Sequence, residues 1–307
     1  MKVLVTGASG FLGNTVINPL IQRGHEIVAL NRRTIDQNKV KVSWVKGDIH
    51  SPAEIDTIIK TEKPEGLLHL AWDTTHGNYW NSNRNLCWTA ASLYLAESFI
   101  RHGGKRIVVA GTSAEYKWGH NRLLEENKSE FSPDSLYGIN KYSLREIIQA
   151  STILNDVSWA WGHIFNIFGP GEKRERLIPR VIVKLLNDEK IIFDDGMLYR
   201  DFLYVDDAGS AFAALFDCNV QGSVNIASGK AISVRYLVQT IAKILGKPGL
   251  VQFDEHKSLT TEPAYVVGSV ERLRKEVRWS PEINFYQRLQ YTCDWWKNSI
   301  KENIEEI

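Results

Sequence analysis

The sequence predicts an α/β protein: a doubly wound parallel sheet followed by a smaller, mixed α/β C-terminal unit. Three observations predict it. Short apolar runs alternate with longer amphipathic segments through the first half of the chain. Those runs are continuous rather than alternating, as in strands covered on both faces. The first of them ends in a glycine-rich turn. Lys2–Val5 reads as a buried strand closed by Thr6 and Gly7. Phe11–Arg23 reads as a helix stopped by Gly24. Pro19 should kink or shorten it, because its ring removes a hydrogen bond and crowds the preceding turn. Ile27–Leu30 and Val42–Val45 are the next strands. Ser51 and Pro52 open a helix to about Lys60, serine as N-cap and proline at the first helical position. Leu67–Ala71 is a fourth strand, Asn81–Arg101 a long helix ended by Gly103 and Gly104, and Arg106–Ala110 a fifth strand. Asp134–Leu154 is another long helix, and Trp159–Ile164 a sixth strand.

After Gly169-Pro170-Gly171 the rhythm changes. Helical patterns at Leu177–Leu186, Val205–Phe216, Val234–Leu245, Val270–Val277 and Phe285–Asn298 are separated by short strands such as Ile191–Phe193 and Ser223–Ile226. No Gly/Ser-rich or charged spacer marks the change. The organisation is therefore read as residues 1–168 followed by an interleaved unit, 169–307.

Composition excludes several classes. A chain of 307 residues is long enough for about two structural units and needs no disulfide or metal staple to bury a core. Lys plus Arg is 37 and Asp plus Glu is 36. That balance argues against a nucleic-acid binder, which carries a basic excess. Cys87, Cys218 and Cys293 are scattered and odd in number, so neither a disulfide framework nor a metal site is expected. The opening MKVLVTG has no apolar leader with a cleavage site, and no run of 18 apolar residues exists, so a cytoplasmic protein without a membrane span is expected.

The chemistry begins at Gly7-Ala8-Ser9-Gly10-Phe11-Leu12-Gly13, placed directly between a strand and a helix. In a Rossmann-type dinucleotide site the first glycine makes the turn, the second admits a pyrophosphate, and the third packs helix on strand. The helix N-terminus adds unpaired N–H groups and positive potential. At the end of the second strand, where NAD sites usually carry an acidic residue, the chain has Asn31-Arg32-Arg33. A guanidinium can hold a 2′-phosphate that a carboxylate would repel. NADP is therefore expected, with NAD as the alternative. Further on, Tyr137-Gly138-Ile139-Asn140-Lys141 puts a phenol and an ammonium one helical turn apart on one face. A neighbouring lysine lowers a phenol's pKa and makes it a usable acid or base near neutrality.

Together these motifs resemble the extended short-chain dehydrogenase/reductases of the sugar-nucleotide epimerase/dehydratase type. The resemblance runs nearly the whole chain, in order: the glycine turn, Gly47-Asp48-Ile49, His69-Leu70-Ala71, Gly111-Thr112-Ser113-Ala114-Glu115-Tyr116, Tyr137 with Lys141, Phe165-Asn166-Ile167-Phe168-Gly169-Pro170, Arg200-Asp201-Phe202 and Asn225-Ile226-Ala227-Ser228-Gly229. It implies that Tyr137 is the catalytic acid/base and that Lys141 is its partner, also holding the nicotinamide ribose. Thr112, four residues before Tyr116, would steady the substrate oxygen, with Ser113 the second choice. Gly7, Gly10, Phe11, Leu12, Gly13, Asn31, Arg32, Arg33, Leu70 and Ala71 would line the cofactor, with Asp48 and Ile49 flanking its adenine. Asn166 and Arg200 would meet the substrate's nucleotide diphosphate, and residues 169–307 would form the sugar-nucleotide domain. Asn85 matches an asparagine that opens the helix after the fourth strand. The long helices from Asn81 and Asp134 would form a homodimer face supplied by Leu86, Leu93, Tyr94, Ile147 and Ile148.

Several positions depart from the pattern. The family's 4,6-dehydratases carry an Asp-Glu pair after the catalytic threonine, where this chain has Ser113 and Ala114. Glu115 comes one residue later and, on an extended segment, would face the other way. His163 replaces an arginine common before Phe-Asn, and Trp88 replaces a small residue. Trp72, Trp80, Trp88 and Trp118 crowd the segments that rim the expected pocket. Trp72 is read equally as a substrate wall and as packing, the others as packing. His76 is a possible contact, though a lone loop histidine is more often solvated. The function expected is NADP-dependent reduction of a nucleotide-activated 4-keto-6-deoxy sugar, since a net reductase consumes NADPH and the dehydratase acids are missing. A nucleotide-sugar C4-epimerase with bound NAD is the alternative. A non-catalytic NADP-binding sensor would be expected to have lost Tyr137 or Lys141.

Overall fold

The computed structural model describes residues 1–33, 41–75, 77, 79–119, 122–254 and 262–301. His76 lies outside the described residues. In chain order the elements are β1 (Lys2–Thr6), α1 (Gly13–Gln22), β2 (Glu26–Asn31), β3 (Val42–Lys46), α2 (Pro52–Glu62), β4 (Gly66–His69), α3 (Arg84–Arg101), β5 (Arg106–Thr112), α4 (Leu136–Leu154), β6 (Ser158–Ile164) and β7 (Asn166–Phe168). Then come α5 (Leu177–Leu186), β8 (Ile191–Phe193), β9 (Tyr199–Arg200), β10 (Phe202–Tyr204), α6 (Val205–Asp217) and β11 (Gly222–Ile226). The chain continues through β12 (Ile232–Ser233), α7 (Val234–Ile244), β13 (Val251–Phe253), β14 (Tyr265–Val266), α8 (Glu271–Lys275) and α9 (Phe285–Lys301). Single 3₁₀ turns cover Tyr79–Asn81, Ser113–Glu115 and Pro248–Leu250.

Seven strands form one parallel sheet in the order β11-β6-β5-β4-β1-β2-β3. Reversal of strand order at β1 makes it doubly wound, and ligands of such sheets bind outside the carboxyl ends at that switch point. The central strands are apolar on both faces because helices cover both: every residue of β4 and β5 is buried. The sequence reading placed Ser223–Ile226 among the short strands of the C-terminal unit. Instead it is β11, the seventh strand of the main sheet, paired with β6 from Gly222↔Ala160 to Ile226↔Ile164. α6 makes this return possible. Its Phe212 fills the space above Gly162, where a Cβ would lie 2.5 Å from the ring. Gly209 lets α6 approach α1, where a Cβ would lie 2.2 Å from the Thr15 hydroxyl.

Helix ends also moved for physical reasons. Pro19 neither breaks α1 nor ends it before Gln22. Asn81 was expected to open the long helix, but α3 starts at Arg84 and the Asn81 amide oxygen instead accepts from the Leu136 N–H at the start of α4. Ser51 occupies the N-cap of α2 without a side-chain bond. α5, α7 and α9 enclose a second apolar core containing Ile182, Leu237, Ile241 and Leu289. At four buried aliphatic side chains of about 2 kcal/mol each, such a cluster is a substantial stabilising term. Among the described residues no helix is long and apolar enough to cross a membrane.

Candidate active site

Strand β1 delivers the chain into a turn that only glycine fits. Gly7 sits at φ 72°, and a Cβ there would lie 2.8 Å from the Ala71 nitrogen. A Cβ on Gly13 would fall 1.9 Å from the Gly7 carbonyl oxygen, so the start of α1 can lie on the turn only without one. Gly10 donates its N–H to the Gly7 carbonyl at 2.9 Å, and both Ser9 and Gly10 are exposed. Phe11 and Leu12 are half-buried beside them. At the end of β2 the Asn31 amide oxygen accepts from the Ser9 hydroxyl at 3.1 Å, and its amide nitrogen donates to the Arg33 carbonyl. Arg32 and Arg33 are exposed. Next along the sheet edge, the Asp48 carboxylate accepts from the His50 N–H and Ile49 is buried. Leu70 and Ala71 are half-buried behind β4.

His69 ties this edge together. Its Nδ1 accepts from the Thr6 hydroxyl at 2.6 Å and its Nε2 donates to the Ser92 hydroxyl at 2.8 Å, since Ser92 itself donates to the Trp88 carbonyl. Burial, helped by the nearby Lys141 charge, pushes its pKa down to about 3, so the ring is neutral.

Thr112, Tyr137 and Lys141 converge at the end of β5. α4 reaches this point because Gly138 permits it: a Cβ there would meet the Ala114 carbonyl at 2.4 Å. Ser135 caps the helix, accepting from the Gly138 N–H at 3.1 Å. The Tyr137 phenol is buried, and the Thr112 side chain beside it acts to lower its pKa. One turn on, Lys141 Nζ donates to the Ala110 carbonyl at 2.9 Å and lies 3.9 Å from the centre of the Trp72 ring. Burial pushes the Lys141 ammonium down to about 7, against the raising effect of Glu115. The Tyr137 phenol is held well above its ordinary value, first by burial and then by Tyr79. The sequence expectation of a phenol depressed by its lysine is therefore not met. The desolvation of a wholly buried hydroxyl outweighs a lysine whose Nζ is turned to a carbonyl and an indole face.

Aromatic rings wall the phenol on three sides. Trp72, Tyr79 and Trp80 have ring centres 6.2, 5.0 and 5.8 Å from that of Tyr137. Trp118 packs edge-on to Trp80, and its indole N–H donates to the Ser113 carbonyl at 2.8 Å. Trp88 stacks on Trp72. Asn85 organises the wall: its amide donates to the Tyr79 and Ser82 carbonyls and accepts from the Trp72 indole at 3.0 Å. Tyr79 escaped sequence reading because it stands in no motif. Its only signal was its place beside Trp80 in a tryptophan-rich loop. Trp80, read as packing, faces the phenol as well.

Glu115 is the other residue whose place sequence reading misjudged. It does not lie on an extended segment. It closes a 3₁₀ turn and points down into the sheet because of that turn. Its Oε1 accepts from the Thr112 N–H at 2.8 Å and from the Trp161 indole at 2.9 Å. His163 Nδ1 lies 3.4 Å from the same oxygen and 3.3 Å from the Thr112 carbonyl, so it carries the proton. Burial alone would raise the Glu115 carboxyl, but His163, Arg145 and the Trp161 indole together hold it below its usual range.

Asn166 and Arg200 lie on the small strands and make no described contact with Tyr137. Asn166 is exposed at the start of β7, and its amide donates to the Asp201 carbonyl at 3.2 Å. The Arg200 guanidinium donates to the Pro263 carbonyl at 2.8 Å and pairs with Glu262 at 2.8 Å. Asp201 is buried, accepting from the N–H groups of Ser228, Gly229 and Gly268.

A sequence model described as the NAD dependent epimerase/dehydratase family matches residues 3–227. A putative UDP-glucose 4-epimerase of Methanocaldococcus jannaschii is 27% identical over 97% of this chain and 99% of its own. A UDP-glucuronate 4-epimerase of Thermodesulfobacterium geofontis is 26% identical over 99% and 97%. Among solved structures, the UDP-glucose 4-epimerase of Thermotoga maritima with UDP-glucose superimposes with a TM-score of 0.83, at 20% identity over 98% of this chain and 100% of that one. The UDP-glucuronic acid 4-epimerase of Bacillus cereus, in complex with UDP-glucuronic acid and NAD, gives 0.84 at 20% identity over 97% and 99%. With a seven-stranded parallel sheet, a glycine turn at its switch point and a match over most of its length, this chain belongs to the NAD-dependent epimerase/dehydratase family.

Proposed function

We propose that the protein is a nucleotide-sugar 4-epimerase working with a nicotinamide dinucleotide. The observation that carries this is the Thr112–Tyr137–Lys141 constellation in a chain matched almost end to end by curated UDP-sugar 4-epimerases. It replaces the reductase reading as the leading one. A dinucleotide suits the glycine cradle, where Gly13 must lack a Cβ and the Ser9-Gly10 backbone is open. The bound cofactor supplies the hydride acceptor and donor.

The protein's own residues do the rest. Gly7, Gly10, Phe11, Leu12 and Gly13 with the N-terminus of α1 hold the pyrophosphate. Asn31, Arg32 and Arg33 border the adenosine ribose, Asp48 and Ile49 the adenine, and Leu70 and Ala71 the rest of the dinucleotide. Lys141 binds the nicotinamide ribose. Tyr137 exchanges a proton with the sugar's 4-oxygen, and Thr112 donates to that oxygen and orients the phenol. Ser113 and Trp72 border the sugar. Asn166 and Arg200 meet the diphosphate, Arg200 exchanging Glu262 for phosphate oxygens. On this reading the dinucleotide is held within residues 1–168, and residues 169–307 complete its sheet through β11 and bring Arg200 to the sugar nucleotide.

A second reading, NADP-dependent reduction of a 4-keto-6-deoxy sugar nucleotide, is favoured by two observations. Arg32 and Arg33 stand exposed after β2, and the Tyr137 phenol is protonated at neutral pH, ready to donate. Incubation with UDP-glucose or UDP-glucuronate, with the sugar products separated and the nicotinamide absorbance followed, decides between them. Epimer formation without net change in reduced cofactor is expected. Stoichiometric loss of NADPH on a 4-keto sugar nucleotide would overturn the epimerase reading.

We further propose a homodimer through α3 and α4, where Leu86, Ile139 and Ile147 are exposed. Ile148 was expected on that face but is buried in the protein's own core, whereas Leu93 and Tyr94 are half-buried. Sedimentation of Leu86→Glu/Ile147→Glu should show a monomer. Unchanged mass would remove the face from consideration.

A further inference from the structure

The described residues border a half-open hollow of about 650 Å³ that shares no residue with the Tyr137 site. It lies where β7, β10 and the start of α6 meet the turn between α8 and α9. Its size is within the range of small-molecule sites, roughly 300–1,000 Å³. Phe285, half-buried at the start of α9, is its main open aromatic surface, with the buried rings of Phe168, Tyr204 and Trp279 behind it.

Charge around it is uneven. Four cations, Lys230, Arg274, Arg278 and Arg288, face two carboxylates, Asp207 and Glu282. One carboxylate is already committed. Arg288 donates to both oxygens of Asp207 and lies 4.3 Å from the centre of the Tyr204 ring. The side chains of Lys230, Arg274 and Arg278 have no ion-pair partner among the described residues. α9, 17 residues long, begins on the rim and adds the positive end of its dipole. Unpaired cations gathered around an aromatic hollow repel one another, and an anion with a ring relieves that repulsion while covering the apolar wall. Solvated surface arginines on a convex face would have no such wall to share.

We infer that this cavity is a second ligand site, for a small aromatic anion of the aryl phosphate or nucleoside monophosphate class. Phosphate oxygens would meet Lys230, Arg274 and Arg278, and the ring would lie against Phe285. The inference is independent of the reaction at Tyr137.

Calorimetric titration of the full chain, with NAD present in excess, tests it with three probes: phenyl phosphate, AMP and inorganic phosphate. Phenyl phosphate or AMP should bind at submillimolar concentration, and inorganic phosphate more weakly. Which of the two aromatic probes binds more tightly separates a simple aryl ligand from a nucleotide. Lys230→Glu/Arg278→Glu, both exposed positions, should weaken the binding at least tenfold and leave NAD affinity unchanged. Ser280→Trp, which fills the hollow from its exposed rim, should do the same without changing charge. Absence of binding at millimolar probe, or equal binding by wild type and both variants, would overturn the inference.

Discussion

Replacing Glu115 by glutamine tests how the proposed catalytic end of β5 is built. The substitution keeps shape and an acceptor oxygen but removes a buried negative charge. Two bonds to a charged acceptor, from the Thr112 N–H and the Trp161 indole, become neutral ones. Bonds to charged groups contribute about 1 kcal/mol more than neutral bonds, so the loss is about 2 kcal/mol. Arg145, 4.0 Å from Glu115, keeps a second partner in Glu146 at 2.9 Å, but the glutamine nitrogen takes the unpartnered Oε2 position, so about 2 kcal/mol is the lower figure. For a chain of 307 residues, with an unfolding entropy of about 2.1 cal/mol/K per residue, such a loss lowers Tm by about 3 °C.

A second consequence is specific to charge. Glu115 is the group that raises the Lys141 pKa against burial, so E115Q should move the lysine's midpoint to lower pH than about 7. Lysine labelled with ¹³C at the ε-carbon reports this directly by NMR, with Lys141→Met assigning the resonance. Glu115→Asp keeps the charge, so its midpoint should stay near that of wild type. A midpoint unmoved in E115Q would refute the reasoning, whatever the variant's activity.

Other outcomes follow from the same geometry. Tyr137→Phe keeps the buried ring and should fold normally, and on the proposed epimerase reading should lose about 10²–10⁴ in kcat with UDP-glucose or UDP-glucuronate. Gly13→Ala drives a methyl into the Gly7 carbonyl and should abolish dinucleotide binding by calorimetry, while far-ultraviolet circular dichroism keeps its helical signal. Lys141 binds fewer protons folded than unfolded between pH 7 and its ordinary range, so its contribution to stability rises with pH across that window. Relative to Lys141→Met, wild-type Tm should therefore climb from pH 7 to 9; a constant difference would contradict it. Arg32→Ala/Arg33→Ala should reduce affinity for NADP more than for NAD, and an equal effect on both would remove the 2′-phosphate argument.

The parallel sheet was legible because its signal is local. Continuous apolar runs such as Ile107–Ala110 and a glycine turn between strand and helix are each contained in a few residues. β11 was misplaced because its identity depends on a partner, β6, sixty residues earlier, and on Phe212 filling the space over Gly162. The same division holds in the site. Tyr137 and Lys141 were legible as a one-turn helical pair. Tyr79 and Glu115 were not, since their roles arise from where a loop folds back and which way a single 3₁₀ turn points. Protonation was the least legible property. A lysine beside a tyrosine suggests an activated phenol in water, whereas burial of both groups reverses the direction.

The two ends of β5 show where the protein leaves polar groups short of partners. At its start, buried Arg106 donates to the carbonyls of Leu215, Phe216 and Val220 and to the Ser158 hydroxyl, locking the end of α6 in place. At its end, Lys141 has one carbonyl and an indole face. Glu115 Oε2, His163 Nε2 and the Trp88 indole have no hydrogen-bond partner among the described residues. Buried polar groups are ordinarily satisfied, and each that is not costs about 1–3 kcal/mol. Isolated cases such as the Trp44 and Trp296 indoles occur elsewhere. Among the described residues, only beside Thr112 do a carboxylate and an imidazole fall short together, within contact of each other. A rigid start and an under-satisfied end on one strand suit the proposed reaction: the strand fixes Thr112, and the groups around it retain capacity to respond when a proton moves.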